Sequence, residues 1–155
     1  MILKENNYKI KLNSLGKSIC NTKWPGRIEK IKFKNKYIIF DGSHNLSGAE
    51  KLNKYLHESK IRPNVIFGML NNKKAFEFLS ILKRNIDTLY PIKIPDEKNT
   101  YTQKEIHKFS KELKLETIIK KNLSNINQLL MKNPNQYILI TGSLYLIGKI
   151  RKKYL

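Results

Sequence analysis

Short apolar runs alternate along the chain with segments in which apolar residues recur every three or four positions. The first pattern is typical of buried strands, and the second is typical of helices with one buried face. We therefore predict strands at 27–33, 36–41, 65–70, 88–94, 116–120 and 136–142. The same reasoning predicts helices at 46–58, 75–84, 102–114, 124–132 and 143–155.

This order of elements predicts the fold class. Strands that alternate with helices form βαβ units, so we expect an α/β, Rossmann-like domain with a mostly parallel sheet and helices on both faces. Thr102 and Glu105 have the spacing of a capping box, which places a helix start there. Pro91 cannot donate to a sheet ladder and favours an edge position or an irregular end for its strand. Residues 1–20 fit no element and are interpreted as a leader or the remnant of a preceding hinge.

Composition limits the partners of the chain. Its 155 residues fit one domain, and the net charge of +19 comes from 31 basic against 12 acidic residues. Lysines are spread over the whole chain without a helix-turn-helix, zinc-finger or RNP pattern, so no specific nucleic-acid binding is expected. No apolar run approaches the roughly 18 residues of a membrane span, and the N-terminus lacks a secretory core. The single cysteine, Cys20, fits a reducing cytoplasm.

Polar side chains follow two of the predicted strands. The sequence DGSHN at 41–45 and the sequence TGS at 141–143 each lie between a strand and a helix. In open α/β sheets ligands bind beyond the carboxyl ends of the strands, where helix N-termini offer N–H groups to anions. The sequence GKS at 16–18 lacks the earlier glycine of a phosphate loop, because position 11 is lysine. No metal-ligand spacing and no nucleophile elbow is present, so these patterns predict a site without specifying a reaction.

Four ordered motifs resemble a known family. They read WPGRIE (24–29), DGSHNL (41–46), GMLNNKK (68–74) and GSLYLIG (142–148). They are similar to the C-terminal domain of folylpolyglutamate synthase, called dihydrofolate synthase in its bifunctional form, of the Mur-ligase superfamily. The resemblance implies a Mur-ligase-type C-terminal (glutamate ligase) domain at 21–155, with 1–20 as the end of a hinge to an ATPase domain.

The resemblance also implies a reaction. In this family ATP and Mg²⁺ convert the γ-carboxylate of a folate into an acyl phosphate, which the amine of glutamate attacks; dihydropteroate takes the place of folate in the synthase reaction. The phosphate loop and the Mg²⁺ ligands belong to the ATPase domain, so no cofactor is expected to bind tightly to this chain alone. The implied partner is that ATPase half, in the same polypeptide or separately encoded.

The resemblance implies roles for three residues near the first polar turn, because each matches a position in the motifs of the family. Arg27 matches an arginine that reaches the ATP phosphates, although it could be a surface arginine. Asp41 matches an acid that binds the nucleotide ribose, and it could instead cap the helix from 46. His44 matches a histidine near the phosphates or the substrate, and its alternative is a hydrogen bond that stabilises the loop.

Four further residues complete the candidate site. Ser143 and Tyr145 match positions that contact the incoming glutamate, while Ser143 could equally cap its helix. Asn45 and Lys73 are placed at the edge of the site, with Asn45 interpreted mainly as a turn or N-cap residue.

Several positions depart from the family pattern. Asn72 and Lys74 replace two acids, Ser43 replaces alanine, Leu46 replaces proline, and PDEKN at 95–99 blurs a proline-arginine motif. An active site of this type is split between two domains and cannot run on one of them. This keeps three interpretations open: a C-terminal ligase module that works with an ATPase half, a folded remnant of a decayed gene, and a basic nucleic-acid-binding protein.

Overall fold

The computed structural model describes residues 24–119 and 135–152, which form five strands and four helices in the described parts of the chain. The predicted helix at 124–132 and the predicted leader at 1–20 lie outside the described residues. In chain order the elements are β1 Glu29–Phe33, β2 Lys36–Asp41, α1 Leu46–Glu58, β3 Asn64–Phe67, α2 Ala75–Leu82, β4 Leu89–Pro91, α3 Gln103–Glu112, β5 Tyr137–Thr141 and α4 Leu144–Arg151.

The five strands form one sheet in the order β1-β2-β5-β3-β4. Strand β1 runs antiparallel to β2, and the remaining neighbours are parallel. Asp41 at the end of β2 and Phe67 at the end of β3 both pair with Thr141 at the end of β5. The carboxyl ends of the three central strands therefore meet at one edge, as the sequence predicted for the two polar turns.

Helices cover both faces of this sheet, which confirms the predicted architecture. On one face Ile39, Val65 and Leu139 pack with apolar side chains of α1, α2 and α3. On the other face Ile38 and Ile140 pack with α4. Successive strand residues point to opposite faces, so a strand that is covered on both sides reads as a continuous apolar run.

The predicted strand at 116–120 is wrong as a strand in the described part of that range. A single bridge joins Thr117 to Leu89 of β4, with Leu89 N donating to the Glu116 carbonyl and Ile118 N donating to the Leu89 carbonyl. The next donor on that side of β4 would be the residue at 91, which is proline and has no N–H. Pro91 thus ends the ladder and, as predicted, lies in the strand at the sheet edge.

The predicted capping box at the start of α3 is present. Thr102 Oγ1 accepts from Glu105 N at 3.3 Å, and Glu105 Oε2 accepts from Thr102 N at 2.7 Å. Two backbone donors that a helix start leaves unpaired are thereby satisfied.

Candidate functional site

Two loops lie against each other at the carboxyl edge of the sheet, and Asp41 joins them. Its Oδ2 accepts from Ile28 N at 3.0 Å, and its Oδ1 accepts from Ser43 N at 3.0 Å. Gly42 N in turn donates to the Gly26 carbonyl at 2.7 Å. The Asp41 side chain is almost fully buried, with 3% exposure. Its carboxylate therefore fixes the turn that precedes β1 against the turn that follows β2.

The turn before β1 presents Arg27 to solvent. Arg27 N donates to the Trp24 carbonyl at 3.1 Å, while Gly26 and Ile28 on either side have φ of 71° and 48°. The guanidinium lies over Gly42, because a Cβ placed on that glycine would be 3.4 Å from Arg27 Nη1. An isoleucine in the left-handed region is rare and is retained only where surrounding contacts hold it. The backbone around Arg27 is therefore strongly constrained, whereas its side chain is exposed.

Arg27 and Asp41 line a cavity of about 390 Å³, together with His44, Asn45 and Lys51. Asp41 is the only acidic residue among the described residues that line it, and both of its oxygens already accept backbone N–H groups. The cationic side chains are therefore left to face a ligand. This cavity suits an anion.

A second cavity of about 240 Å³ shares His44 with the first. Its other candidate residues are Lys73, Ser143 and Tyr145, and no acidic residue is among the described residues that line it. All seven residues that the sequence singled out therefore line two adjoining cavities. The structure brings the predicted residues together, while their roles toward a ligand remain proposals.

The structure shows which of these side chains cap a helix and which one stabilises a loop. Asn45 caps α1, since its Oδ1 accepts from Gly48 N at 2.8 Å, and Ser143 caps α4, since its Oγ accepts from Tyr145 N at 3.2 Å. The alternative of Asp41 as the cap of α1 is wrong, because Asn45 occupies that position. His44 Nδ1 lies 3.0 Å from the Gly42 carbonyl, which is the expected loop hydrogen bond.

Two residues of this region were missed from the sequence. Lys51 lines the first cavity one helical turn after Ser47, so its position on α1 could have revealed it. Glu29, the last residue of WPGRIE, accepts from Gly26 N at 2.9 Å and from both Nε and Nη2 of Arg151 at 2.8 Å. Nothing in the local sequence indicates a partner in the last helix.

The Glu29 contacts predict a dependence of stability on pH. The hydrogen bond from Arg151, helped by that from Gly26, holds the pKa of Glu29 below its ordinary value of 4.5 against the opposing effect of burial. A lowered pKa in the folded state adds stability above pH 4.5, and this stability is lost as the pH falls through the folded-state pKa. The melting temperature of Glu29→Gln should therefore lie below that of the parent at pH 7. The two should converge as the pH falls below 4.5 and through the lowered pKa of Glu29, and a difference that stays constant through a series of thermal melts from pH 7 into this acid range would contradict the assignment.

Replacement of Asp41 by alanine should destabilise the chain. The change leaves the buried Ser43 N and the partly buried Ile28 N without their acceptor. An unsatisfied buried donor costs about 1–3 kcal/mol, so we expect a loss of roughly 2–4 kcal/mol in the free energy of unfolding. Urea unfolding of Asp41→Ala beside Asp41→Asn, which keeps one acceptor oxygen, measures this. A loss that is equal for both variants, or absent, would show that the two hydrogen bonds contribute little.

Residues 24–119 and 135–152 contain neither a metal-binding cluster nor a membrane-spanning helix. No group of three or more His, Cys, Asp or Glu side chains there could hold a metal ion. Among the helices in these ranges, none combines the length and the hydropathy that a membrane span requires.

Comparison with known proteins gives a family match over most of the chain. The model of the dihydrofolate synthetase C-terminal domain matches residues 26–153. A dihydrofolate synthase/folylpolyglutamate synthase of Bacillus subtilis is 29% identical, and the match covers 97% of this chain but 35% of that protein. A probable dihydrofolate synthetase of Schizosaccharomyces pombe is 27% identical over 92% of this chain and 37% of its own length. The chain therefore spans about a third of the length of the curated relatives it matches.

Solved structures show the same fold. The structure of E. coli FolC in complex with DHPP and ADP superimposes with a TM-score of 0.78 at 20% identity, covering 98% of this chain and 36% of that chain. A bifunctional folylpolyglutamate synthase/dihydrofolate synthase of Yersinia pestis, complexed with AMPPNP and Mn, gives a TM-score of 0.78 at 15% identity and the same coverage.

Proposed function

We propose, because the chain belongs to the dihydrofolate synthetase C-terminal domain family, that it supplies one half of the active site of an ATP-dependent ligase. This ligase adds glutamate to a folate or to dihydropteroate through an acyl phosphate. The observation that carries the proposal is the pair of adjoining cavities at the carboxyl edge of the sheet, lined by all the matched residues and joined at His44.

The first cavity is assigned to the ATP phosphates. Arg27 has an exposed guanidinium on a constrained backbone, and a planar guanidinium suits phosphate oxygens. Preorganised positive charge of this kind stabilises the charge that develops on a transferring phosphoryl group. Asp41 keeps lone pairs beyond the two that accept backbone N–H groups, and these are proposed to accept from a ribose hydroxyl. His44, at the junction of the cavities, faces the transferring group.

The second cavity is assigned to the incoming glutamate. Ser143 Oγ accepts from Tyr145 N, so its own hydroxyl proton is free to be donated to a carboxylate. Lys73 lines the same cavity and supplies a positive charge. The N-terminus of α4 adds backbone N–H groups and the positive end of the helix dipole. These features favour an anionic amino acid.

An ATPase half is required to complete such a site. The relatives are about three times as long as the matched part, and two structural neighbours were solved with ADP or with AMPPNP and Mn. We propose that ATP and its metal ion are held mainly by that half, since the described residues here contain no metal cluster. The reducing cytoplasm is the proposed compartment, in keeping with the single cysteine.

A chimaeric enzyme tests the proposal. The chain is fused to the N-terminal two thirds of the Bacillus subtilis relative, in place of that protein's own C-terminal third. We expect ATP-dependent incorporation of labelled glutamate into a folate or dihydropteroate above the level of the truncated N-terminal part alone. A chimaera that folds but incorporates no glutamate would favour the interpretation as a folded remnant. An affinity for nucleic acid that falls steeply with salt and prefers one sequence would favour the third interpretation.

The purified chain by itself is expected to be inactive. It supplies neither a phosphate loop nor a metal cluster among its described residues, and half an active site cannot sequester the acyl phosphate from water. Phosphate release from ATP and chromatography of folate products check this. Steady conversion of ATP, glutamate and folate by the chain alone, after removal of host enzyme, would overturn it.

A further inference from the structure

The two residues that flank Arg27 each donate a backbone hydrogen bond to a carboxylate. Asp41 binds the N–H of Ile28, and Glu29 binds the N–H of Gly26. The residues that donate these hydrogen bonds are the two that stand at positive φ, 71° and 48°. Each carboxylate therefore secures one of the two unusual backbone conformations that turn Arg27 outward.

Glu29 also connects this turn to the last helix. One oxygen accepts from Gly26 N and Arg151 Nε, and the other accepts from Arg151 Nη2 at 2.8 Å. The two side chains are partly buried, with exposures of 20% and 33%. This bidentate geometry fixes the plane of the carboxylate, in contrast to the exposed pair of Lys54 and Glu58 at 3.8 Å.

Helix α4 thus lines the second cavity directly and is connected, through Arg151 and Glu29, to the turn whose Arg27 lines the first cavity. Its first turn, with Ser143 as the cap, lines the second cavity, and its last turn carries Arg151, which holds Glu29. Glu29 therefore links the turn that carries Arg27 to the same helix whose N-terminus faces the second cavity.

We infer that Glu29 is a positioning residue for Arg27, oriented by Arg151, an inference that rests on the function proposed above. Glu29 touches no ligand in this scheme. It sets where the guanidinium of Arg27 stands relative to the phosphoryl group, and misplacement of such a group by about 1 Å can cost on the order of 100-fold in rate.

The first experiment measures hydrogen exchange of the Arg27 amide and does not require an active enzyme. The chain contains four arginines, at 27, 62, 84 and 151, so labelling with ¹⁵N-arginine gives a spectrum with few signals. In Glu29→Ala the hydrogen exchange of the Arg27 amide, which donates to the Trp24 carbonyl, should accelerate about tenfold or more. Glu58→Ala, which removes the exposed carboxylate, is the matched control and should leave this rate unchanged. An unchanged rate in Glu29→Ala overturns the inference.

The second arm uses the chimaeric enzyme. Glu29→Ala should lower kcat about 10- to 100-fold when Arg27 is present. It should lower kcat little further in an Arg27→Ala background. The melting temperature should still fall there, because the contacts of Glu29 with Gly26 and Arg151 do not involve the Arg27 side chain. Glu29→Gln keeps an oxygen for Gly26 N and should recover part of kcat. It also serves as the test variant if Glu29→Ala fails to fold.

The outcomes separate this inference from the proposed function. A loss of kcat that is equal with and without Arg27, or a normal kcat despite a lower melting temperature, assigns Glu29 a purely structural role. An inactive parent chimaera counts against the proposed function, and the exchange arm then still decides whether Glu29 holds the Arg27 turn.

Discussion

Arg27→Ala is expected to lower kcat of the chimaeric enzyme about 10²–10³-fold, the usual cost of one preorganised electrostatic contact to a transition state. The guanidinium is exposed, lies over Gly42 and lines the cavity assigned to phosphates. Its charge would act mainly on negative charge that develops during phosphoryl transfer, so the KM for ATP should change less than kcat. Steady-state ATP titrations of glutamate incorporation measure both parameters.

Stability provides the control for this result. The Arg27 side chain is exposed, and the hydrogen bond that joins it to Trp24 uses backbone atoms, so Arg27→Ala should melt within a few degrees of the parent. Arg84→Ala, which removes another exposed arginine outside both cavities, should leave kcat unchanged. If both variants turn over like the parent, the cavity does not hold the phosphates and its motifs serve the fold.

The fold could be predicted from the sequence because its information is local. The run Ile38–Phe40 shows a strand covered on both faces, and the spacing of Thr102 and Glu105 marks a helix start. The order of such elements then restricts the topology to a few arrangements. The prediction failed at 116–120, where an apolar stretch suggested a strand. This segment pairs with β4 only at Leu89, because Pro91 of β4 has no N–H to continue the ladder.

The candidate site could be located in the same way, but its internal contacts could not. The polar turns follow strands whose carboxyl ends must meet in a parallel sheet, which is why Asp41 and Ser143 were found together. Asp41 accepts a hydrogen bond from Ile28, 13 positions away, and Glu29 accepts one from Arg151, 122 positions away. Contacts between residues so far apart in sequence leave no periodic pattern, so the sequence does not reveal the structural roles of these two carboxylates.

The central strands approach each other closely at Gly142, so we expect its replacement by alanine to destabilise the chain strongly. Gly142 follows β5 with φ of 103°, and a Cβ there would stand 2.6 Å from the Gly68 carbonyl oxygen and 2.8 Å from the ring of Phe67. Gly142→Ala combines a strained backbone, which costs about 1–3 kcal/mol, with overpacking against backbone and a buried ring, which costs about the same again. We expect a loss of about 2–6 kcal/mol and a fall in melting temperature on the order of 10 °C.

Gly148→Ala is the matched control, because it makes the same chemical change within α4. A Cβ on Gly148 meets no atom within 4 Å, and alanine in a helix is more favourable than glycine by about 1 kcal/mol. This variant should therefore melt slightly above the parent, while Gly142→Ala melts far below it. Thermal melts followed by circular dichroism measure both. Equal melting temperatures for the two variants would mean that the edge of the sheet can open at Gly142. The second cavity, which Gly142 lines, would then lack the rigid backbone on which the proposed glutamate site depends.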